Sequence, residues 1–347
     1  MQNAKEFFYV GGYSNNIRLC EYDGSSIMVL EEFEAENASY LCLARGGKNL
    51  YAVREKPDGG VAAFSVDNKR LTYINNAATN GRAPCYIAVG NGGKTLYVAN
   101  YGTGSIAVYP LNDDGSIGND RIMIENSSFG EASHVNPERQ NGPHAHYAQP
   151  IEVDGKNTLW ICDLGMDMSI ITDENGKEIN RLISRPGSGP RHMVFDMPYI
   201  YMSCELSGSV YAYKYNSIND IIQISEVSIV EPKLSAGSAI RVTPDGGYVI
   251  VSNRNAGSNE FEGTNSLIVL KIDKQDGTLK HVQTVKSGGI CPRDFVFNPK
   301  GDKIFCANQE SDLVTVLNWD KEKGRINDEV TATLRVERPS CIVFIQQ

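Results

Sequence analysis

Gly189-Pro190-Arg191-His192-Met193-Val194-Phe195, followed after a short break by Tyr199-Ile200-Tyr201-Met202-Ser203-Cys204-Glu205-Leu206, decides how this chain is read. A Gly-Pro turn opens one apolar run, with an arginine and a histidine at its start, and a glutamate closes the next run. Variants of this layout recur along the sequence. Ala83-Pro84-Cys85-Tyr86-Ile87-Ala88-Val89 leads through Asn91-Gly92-Gly93-Lys94 to Leu96-Tyr97-Val98-Ala99-Asn100. Pro292-Arg293-Asp294-Phe295-Val296-Phe297 leads through Asn298-Pro299-Lys300-Gly301 to Lys303-Ile304-Phe305-Cys306-Ala307-Asn308. Short runs of β-branched and aromatic residues between Gly, Asn, Asp and Pro are strand signals, and helical periodicity is nearly absent.

The first strand of each copy starts near residues 39, 84, 143, 190, 238, 292 and 339, giving steps of 45 to 59 residues. A repeat of that length with four short strands is the signature of a propeller blade. The longest step carries an inserted, turn-rich segment, Asn126 to Asn141, and the 54-residue step carries Ala256 to Thr264. The seventh copy supplies only one strand before the chain stops. Phe7–Val10, Ile17–Tyr22 and Met28–Phe33 read as its missing strands. The expected fold is therefore all-β: a seven-bladed β-propeller of four-stranded antiparallel blades, one domain over residues 1–347. Its closing blade combines 339–347 with 1–38, which removes a free sheet edge.

The bulk properties narrow the function. The 347 residues carry a net charge of −9, with 41% hydrophobic and 22% charged residues. Phosphate backbones require a basic face, so nucleic acid is not an expected partner. No run approaches the roughly 20 apolar residues of a membrane span. The polar Met1 to Lys5 gives no sign of a signal peptide. Eight scattered cysteines without a C-x-x-C pair fit buried free thiols in a reducing compartment, so the expected location is cytoplasmic.

In a propeller, the start of strand one and the turn between strands two and three lie on the same face. Residues at both places converge on the channel mouth. Aligning the repeats puts Tyr101, Leu164, Glu205, Arg254 and Gln309 at one equivalent position. The charges of Glu205 and Arg254 are not needed by the repeat and read as substitutions made for a ligand. Arg191, Arg254 and Arg293, with Arg82 as a candidate fourth member, form an expected basic cluster suited to carboxylate or phosphate. A single arginine could equally cap strand-end carbonyls or pair with a local acid, as Arg293 could with Asp294.

His144 and His146 are two apart, so an extended segment points both to one side. Either could act as general acid or base, or donate a hydrogen bond, and one could simply tie down the inserted loop. A metal would want a third ligand, with Glu205 and His192 to recruit, but nearby arginines would repel a cation. No metal and no cofactor are expected. Glu205 among arginines should stay ionised. No nucleophile elbow is present, and Gly11-Gly12 and Gly59-Gly60 read as hairpin turns. His134 and His281 fall outside the mouth.

Several of these segments together resemble one family. They are Pro137-Glu138-Arg139-Gln140 with Pro143-His144-Ala145-His146, Cys162-Asp163-Leu164-Gly165-Met166-Asp167, and Gly187 to Phe195 with Cys204-Glu205-Leu206. Val242-Thr243-Pro244-Asp245-Gly246 with Ser252-Asn253-Arg254 and Pro292-Arg293-Asp294-Phe295 complete the set. Over essentially the whole chain they are similar to the seven-bladed propeller lactonases of the 6-phosphogluconolactonase type, which include a fungal carboxy-muconate cyclase. The resemblance implies active-site groups at His146 (or His144), Arg191, Glu205 and Arg254. His144, His192, Arg293, Asp163 and Tyr101 are expected to contact substrate. Gln149-Pro150-Ile151-Glu152 departs from the pattern by interrupting the strand after the histidines, and Asp196-Met197-Pro198 replaces the usual turn.

The expected activity is hydrolysis of a sugar lactone, 6-phosphogluconolactone first. The arginines would hold the anion and stabilise the oxyanion, and His146 or Glu205 would activate water. A muconate-type lactonising enzyme acting on a dicarboxylate and a non-catalytic ligand- or protein-binding propeller are the alternatives. The expected partner is a small anionic sugar lactone, with the chain a monomer or weak homo-oligomer.

Overall fold

The structure is a computed structural model that describes residues 5–229, 236–254 and 265–345. These residues form seven four-stranded antiparallel sheets arranged as the blades of one ring. Blade 1 comprises Leu41–Ala44, Asn49–Arg54, Gly60–Asp67 and Arg70–Ala78, and blade 2 comprises Pro84–Gly90, Thr95–Asn100, Ser105–Pro110 and Ile122–Glu125. Blade 3 runs Ala145–Val153, Lys156–Asp163, Met168–Asp173 and Glu178–Ile183. Blade 4 runs Pro190–Asp196, Tyr199–Cys204, Ser209–Ser217 and Asp220–Ser228. Blade 5 holds Ala236–Val242, Tyr248–Arg254, Ser266–Ile272 and Leu279–Lys286. Blade 6 holds Pro292–Phe297, Lys303–Asn308, Leu313–Asp320 and Arg325–Arg335. The expected insertion at Ala256 to Thr264 lies outside the described residues.

Blade 7 closes the ring as the repeat count requires. Pro339–Phe344 pairs antiparallel with Glu6–Gly12, which is followed by Asn16–Tyr22 and Ile27–Glu34. Each blade leaves its outermost strand half solvated, as the alternating burial of Ile27–Glu34 shows, while middle strands such as Tyr199–Cys204 are buried almost throughout. Apolar side chains on the middle strands interdigitate between neighbouring blades. Phe8 of blade 7, for example, packs against Phe305 of blade 6 with ring centroids 5.2 Å apart, and against Phe344 of its own blade at the same distance. Burial of this kind, repeated around the ring, is the main source of stability.

One departure read from the sequence is corrected. Gln149-Pro150-Ile151-Glu152 does not interrupt its strand: Ala145–Val153 is continuous, with Pro150 opposite Leu159. This strand is the innermost of its blade and bonds to one neighbour alone, so a missing proline N–H costs the ladder nothing on its free side.

A feature of strand one positions the site. Its register slips by one residue at the mouth in six blades, between Pro84 and Tyr86, Ala145 and Tyr147, Pro190 and His192, Gly237 and Ile240, Pro292 and Asp294, and at Gly11 opposite Pro339 to Cys341. A bulge of this type bends the strand and re-aims the extra side chain. The residues lifted out are Cys85, His146, Arg191, Ser238, Arg293 and Ser340. Before the bulge in blade 4, Gly189 has φ +64°, and a Cβ there would lie 2.6 Å from Leu206 Cγ, so the turn that delivers Arg191 requires glycine.

Candidate active site at the channel mouth

One residue further along strand one, large side chains from different blades meet on the channel axis. Tyr40 and Tyr86 have ring centroids 4.7 Å apart, as do Tyr86 and Tyr147, and the His192 ring lies 5.6 Å from Tyr147 and 6.1 Å from Tyr40. Beside them Arg241 pairs with Asp294 at 2.8 Å. This layer plugs the channel. Above it remains a blind cavity of about 310 Å³ lined by Tyr13, Glu55, Cys85, Tyr101, Arg139, His146, Glu205, Arg254 and Arg293.

Glu205 is the hub of the cavity and is only 3% exposed. Its Oε1 accepts from Arg139 at 2.5 Å, and its Oε2 accepts from Arg191 Nε at 3.0 Å and meets Arg254 Nη2 at 2.7 Å. Burial favours the protonated acid, but the guanidiniums of Arg254, Arg139 and Arg191 outweigh it and hold the carboxyl well below its usual range. Both of its oxygens are engaged by guanidiniums, so the carboxylate stays ionised and is fixed between three arginines. Arg191 lies under the cavity, wholly buried, and its pKa falls to about 10 through burial and repulsion from Arg254, which leaves it charged at neutral pH.

His146 projects from its bulge into the cavity wall. Burial and the neighbouring Arg191 charge hold its pKa well below the ordinary histidine range, so the ring is neutral at pH 7, and its Nδ1 is buried without a hydrogen-bond partner. His144 behaves differently, although both residues touch Tyr101. The bulge between Ala145 and Tyr147 breaks the alternation that would have put the two histidines on one side. The His144 ring stacks on Tyr101 with centroids 4.6 Å apart, and its nitrogens engage the Tyr101 carbonyl at 2.8 Å and Asn141 Oδ1 at 3.0 Å.

Across the ring from Glu205 stands Glu55, held by Tyr13 OH at 2.8 Å and Ser39 Oγ at 2.5 Å. Arg293 lies 4.0 Å from Glu55 and 5.4 Å from the Tyr13 ring centroid. Four guanidiniums (Arg139, Arg191, Arg254, Arg293) against two carboxylates (Glu55, Glu205) leave an excess of two positive charges. A chain with net charge −9 thus carries a locally cationic cavity, whose field favours an anion.

Of the residues singled out from the sequence, the structure brings His146, Arg191, Glu205, Arg254, Arg293 and Tyr101 together here. It does not bring His144, Asp163, His192 or Arg82 to the cavity. Asp163 is fully buried and accepts from Asn126 Nδ2 at 2.7 Å, His144 N at 2.8 Å and Met166 N at 3.0 Å, which anchors the Asn126–Asn141 segment to blade 3. His192 belongs to the plug, 5.2 Å from the His146 ring. Arg82 is exposed and bonds the Gly102 carbonyl at 3.0 Å.

Four lining residues were not assigned from the sequence: Tyr13, Glu55, Cys85 and Arg139. The first two occupy the blade 7 and blade 1 equivalents of the Glu205 position, and Cys85 is the blade 2 equivalent of His146 and Arg191. Full alignment of all seven repeats carries that signal. Arg139 comes from the insertion, where no repeat helps, and it reaches Tyr101 OH at 3.2 Å as well as Glu205.

Among the described residues, no group of three or more His, Cys, Asp or Glu side chains could hold a metal. No helix among them is long and apolar enough to cross a membrane.

A blind polar cavity closed by a plugged channel defines a propeller with a small-molecule site. Residues 7–344 match the family described as lactonase, 7-bladed beta-propeller, and the chain belongs to this family of lactone hydrolases. It is 32% identical over 332 residues to a 6-phosphogluconolactonase of Bacillus subtilis (strain 168), covering 90% of this chain and 88% of that one. It is 31% identical over 320 residues to a 6-phosphogluconolactonase of Formosa agariphila, covering 87% of each. Its fold superposes on that of a Pseudomonas aeruginosa periplasmic gluconolactonase with TM-score 0.88 and 27% identity, over 99% of both chains.

Proposed function

We propose that this lactonase opens 6-phosphogluconolactone to 6-phosphogluconate at the arginine-rich cavity. The observation that carries this reading is the excess of two positive charges around the Glu205 hub, which suits a phosphate dianion. The two relatives named 6-phosphogluconolactonase support it. Arg139 spends Nε and Nη2 on Tyr101 OH and Glu205, Arg254 spends them on the Ala236 and Gly237 carbonyls and Glu205, and each leaves Nη1 to offer to substrate. Fixed cationic donors also stabilise the oxyanion that develops as water adds to the lactone carbonyl.

His146 serves as the base, because it is the neutral, uncommitted proton acceptor in the wall. It takes a proton as water oxygen bonds to C1. The C1–O bond of the ring then breaks, and the departing ring oxygen receives that proton, giving a hydroxyl and a carboxylic acid that ionises into solvent. Arg191, which does not line the cavity, acts through Glu205 to keep the geometry fixed. The eight free cysteines fit action in the reducing cytoplasm.

The test is the initial rate of 6-phosphogluconolactone hydrolysis by chelator-treated protein, measured beside glucono-δ-lactone and the spontaneous reaction. Acceleration of the phosphorylated lactone well above the other two supports the reading. A rate equal to the spontaneous one removes it.

A further inference from the structure

The cavity is rich in hydrogen-bond donors and poor in acceptors. Three guanidiniums line it, and both oxygens of Glu205 are consumed by arginines. Tyr101 OH accepts from Arg139. Apart from the His146 ring, Glu55 is the exception. Its Oε2 receives Tyr13 OH at 2.8 Å and Ser39 Oγ at 2.5 Å, while the nearest cation to its Oε1, Arg293, stands 4.0 Å away, beyond hydrogen-bond length. Glu55 Oε1 is therefore the one carboxylate oxygen in this wall without a hydrogen bond among the described residues. The side chain is 16% exposed, so the oxygen is neither buried and wasted nor loose on the surface.

The location adds to the point. Arg54 pairs with Gly60 in blade 1 as Cys204 pairs with Ser209 in blade 4, so Glu55 and Glu205 are equivalent residues. Blades 1 and 4 are three apart in a ring of seven, which puts the two carboxylates on opposite sides of the mouth. One is capped by arginines and the other by hydroxyl groups. A carboxylate with a purely structural task has both oxygens satisfied, whereas here two hydroxyls fix the orientation and leave one oxygen free. A ligand that brings only acceptors has no use for that oxygen. One that brings hydroxyl donors does.

We propose that Glu55 is a specificity residue, whose Oε1 accepts hydrogen bonds from the hydroxyls of a polyhydroxylated lactone and sets the preference for sugar lactones over unsubstituted ones. This rests on the lactone-hydrolase reading and names the part of the substrate that the far wall recognises. A site built to accept from a substrate hydroxyl discriminates strongly against an analogue without it, because the oxygen is then left unpaired.

The experiment compares D-glucono-δ-lactone with δ-valerolactone, which share the ring and differ in the hydroxylated substituents. In Glu55→Gln and Glu55→Ala, kcat/KM for the hydroxylated lactone should fall roughly 10- to 100-fold, while that for δ-valerolactone stays within about threefold. Calorimetric binding of gluconate against 5-hydroxypentanoate should lose the same preference without any need for turnover. Tyr13→Phe keeps the carboxylate but removes one orienting hydroxyl, and should weaken the preference in the same direction. Equal losses on both lactones, or an unchanged binding preference in all three variants, overturns the assignment. A wild type that leaves 6-phosphogluconolactone unopened as well as these two lactones, yet binds gluconate with a Glu55-dependent preference, removes the hydrolytic reading and leaves this one standing.

Discussion

Arg191 Nε lies 3.0 Å from Glu205 Oε2, and both side chains are buried almost completely, at 2% and 3% exposure. The pair is asymmetric. Glu205 has two further arginines, whereas Arg191 has this one carboxylate and a second guanidinium nitrogen, Nη1, without a hydrogen-bond partner. Removing the glutamate leaves three guanidiniums facing one another. Glu205→Gln should therefore cost about 3–5 kcal/mol, the range for stranding buried charge. Arg191→Met should cost less, because Glu205 keeps two partners. Denaturant unfolding measures both, and a larger loss in Arg191→Met would contradict the hub assignment.

Arg139 plays a different part because it is 40% exposed and arrives on a loop. An ion pair with one solvated member contributes at most about 1 kcal/mol. Arg139→Ala should leave the unfolding midpoint nearly unchanged and raise KM for an anionic lactone about tenfold, the value of one charge-assisted contact. Added salt should narrow the gap between wild type and variant. Steady-state kinetics at low and high ionic strength check this.

The loop that carries Arg139 is held at its base by Asp163 through Asn126. Asp163→Ala should lower activity in the same way as Arg139→Ala, although Asp163 lies outside the cavity. The double variant should then lose little more than either single one, since both remove the same interaction. Full additivity would mean that Asp163 acts by another route.

His146 and His192 are both held well below the ordinary histidine range, first by burial and then by the nearby Arg191 charge. The groups facing them are Glu205, Arg293, Arg241 and each other. The unfolded chain binds protons at these positions below about pH 6.5 and the folded chain does not. Stability is therefore full above that pH. It falls as pH drops from about 6.5 toward the folded values, at about 1.4 kcal/mol per pH unit for each histidine. If His146 is the base, the acid limb of kcat/KM also lies well below pH 6.5. Unfolding and rate profiles between pH 4 and 8 test both statements, and a limb at 6.5 would contradict the second.

The repeat was legible because each blade spells out the same strands, and its boundaries followed within two residues at every blade start. The mouth residues Glu205 and Arg254 were legible because charges there broke the repeat. Other features left no such trace. The bulge that separates His144 from His146 depends on ladder register, which alternation alone assigns wrongly. Arg139 sits in an insertion without repeat partners, so only the folded loop shows where it points. Glu55 left no trace because it sits within the local charge run Arg54-Glu55-Lys56, and its place at the mouth shows only when the blades are superposed.

A crystal of the protein soaked with 6-phosphogluconate tests the site most directly. The ligand should lie in the mouth cavity, with its phosphate on Arg139 or Arg254, its C1 carboxylate beside His146 and its hydroxyls toward Glu55. A ligand bound away from these arginines, or with C1 remote from His146, would contradict this assignment.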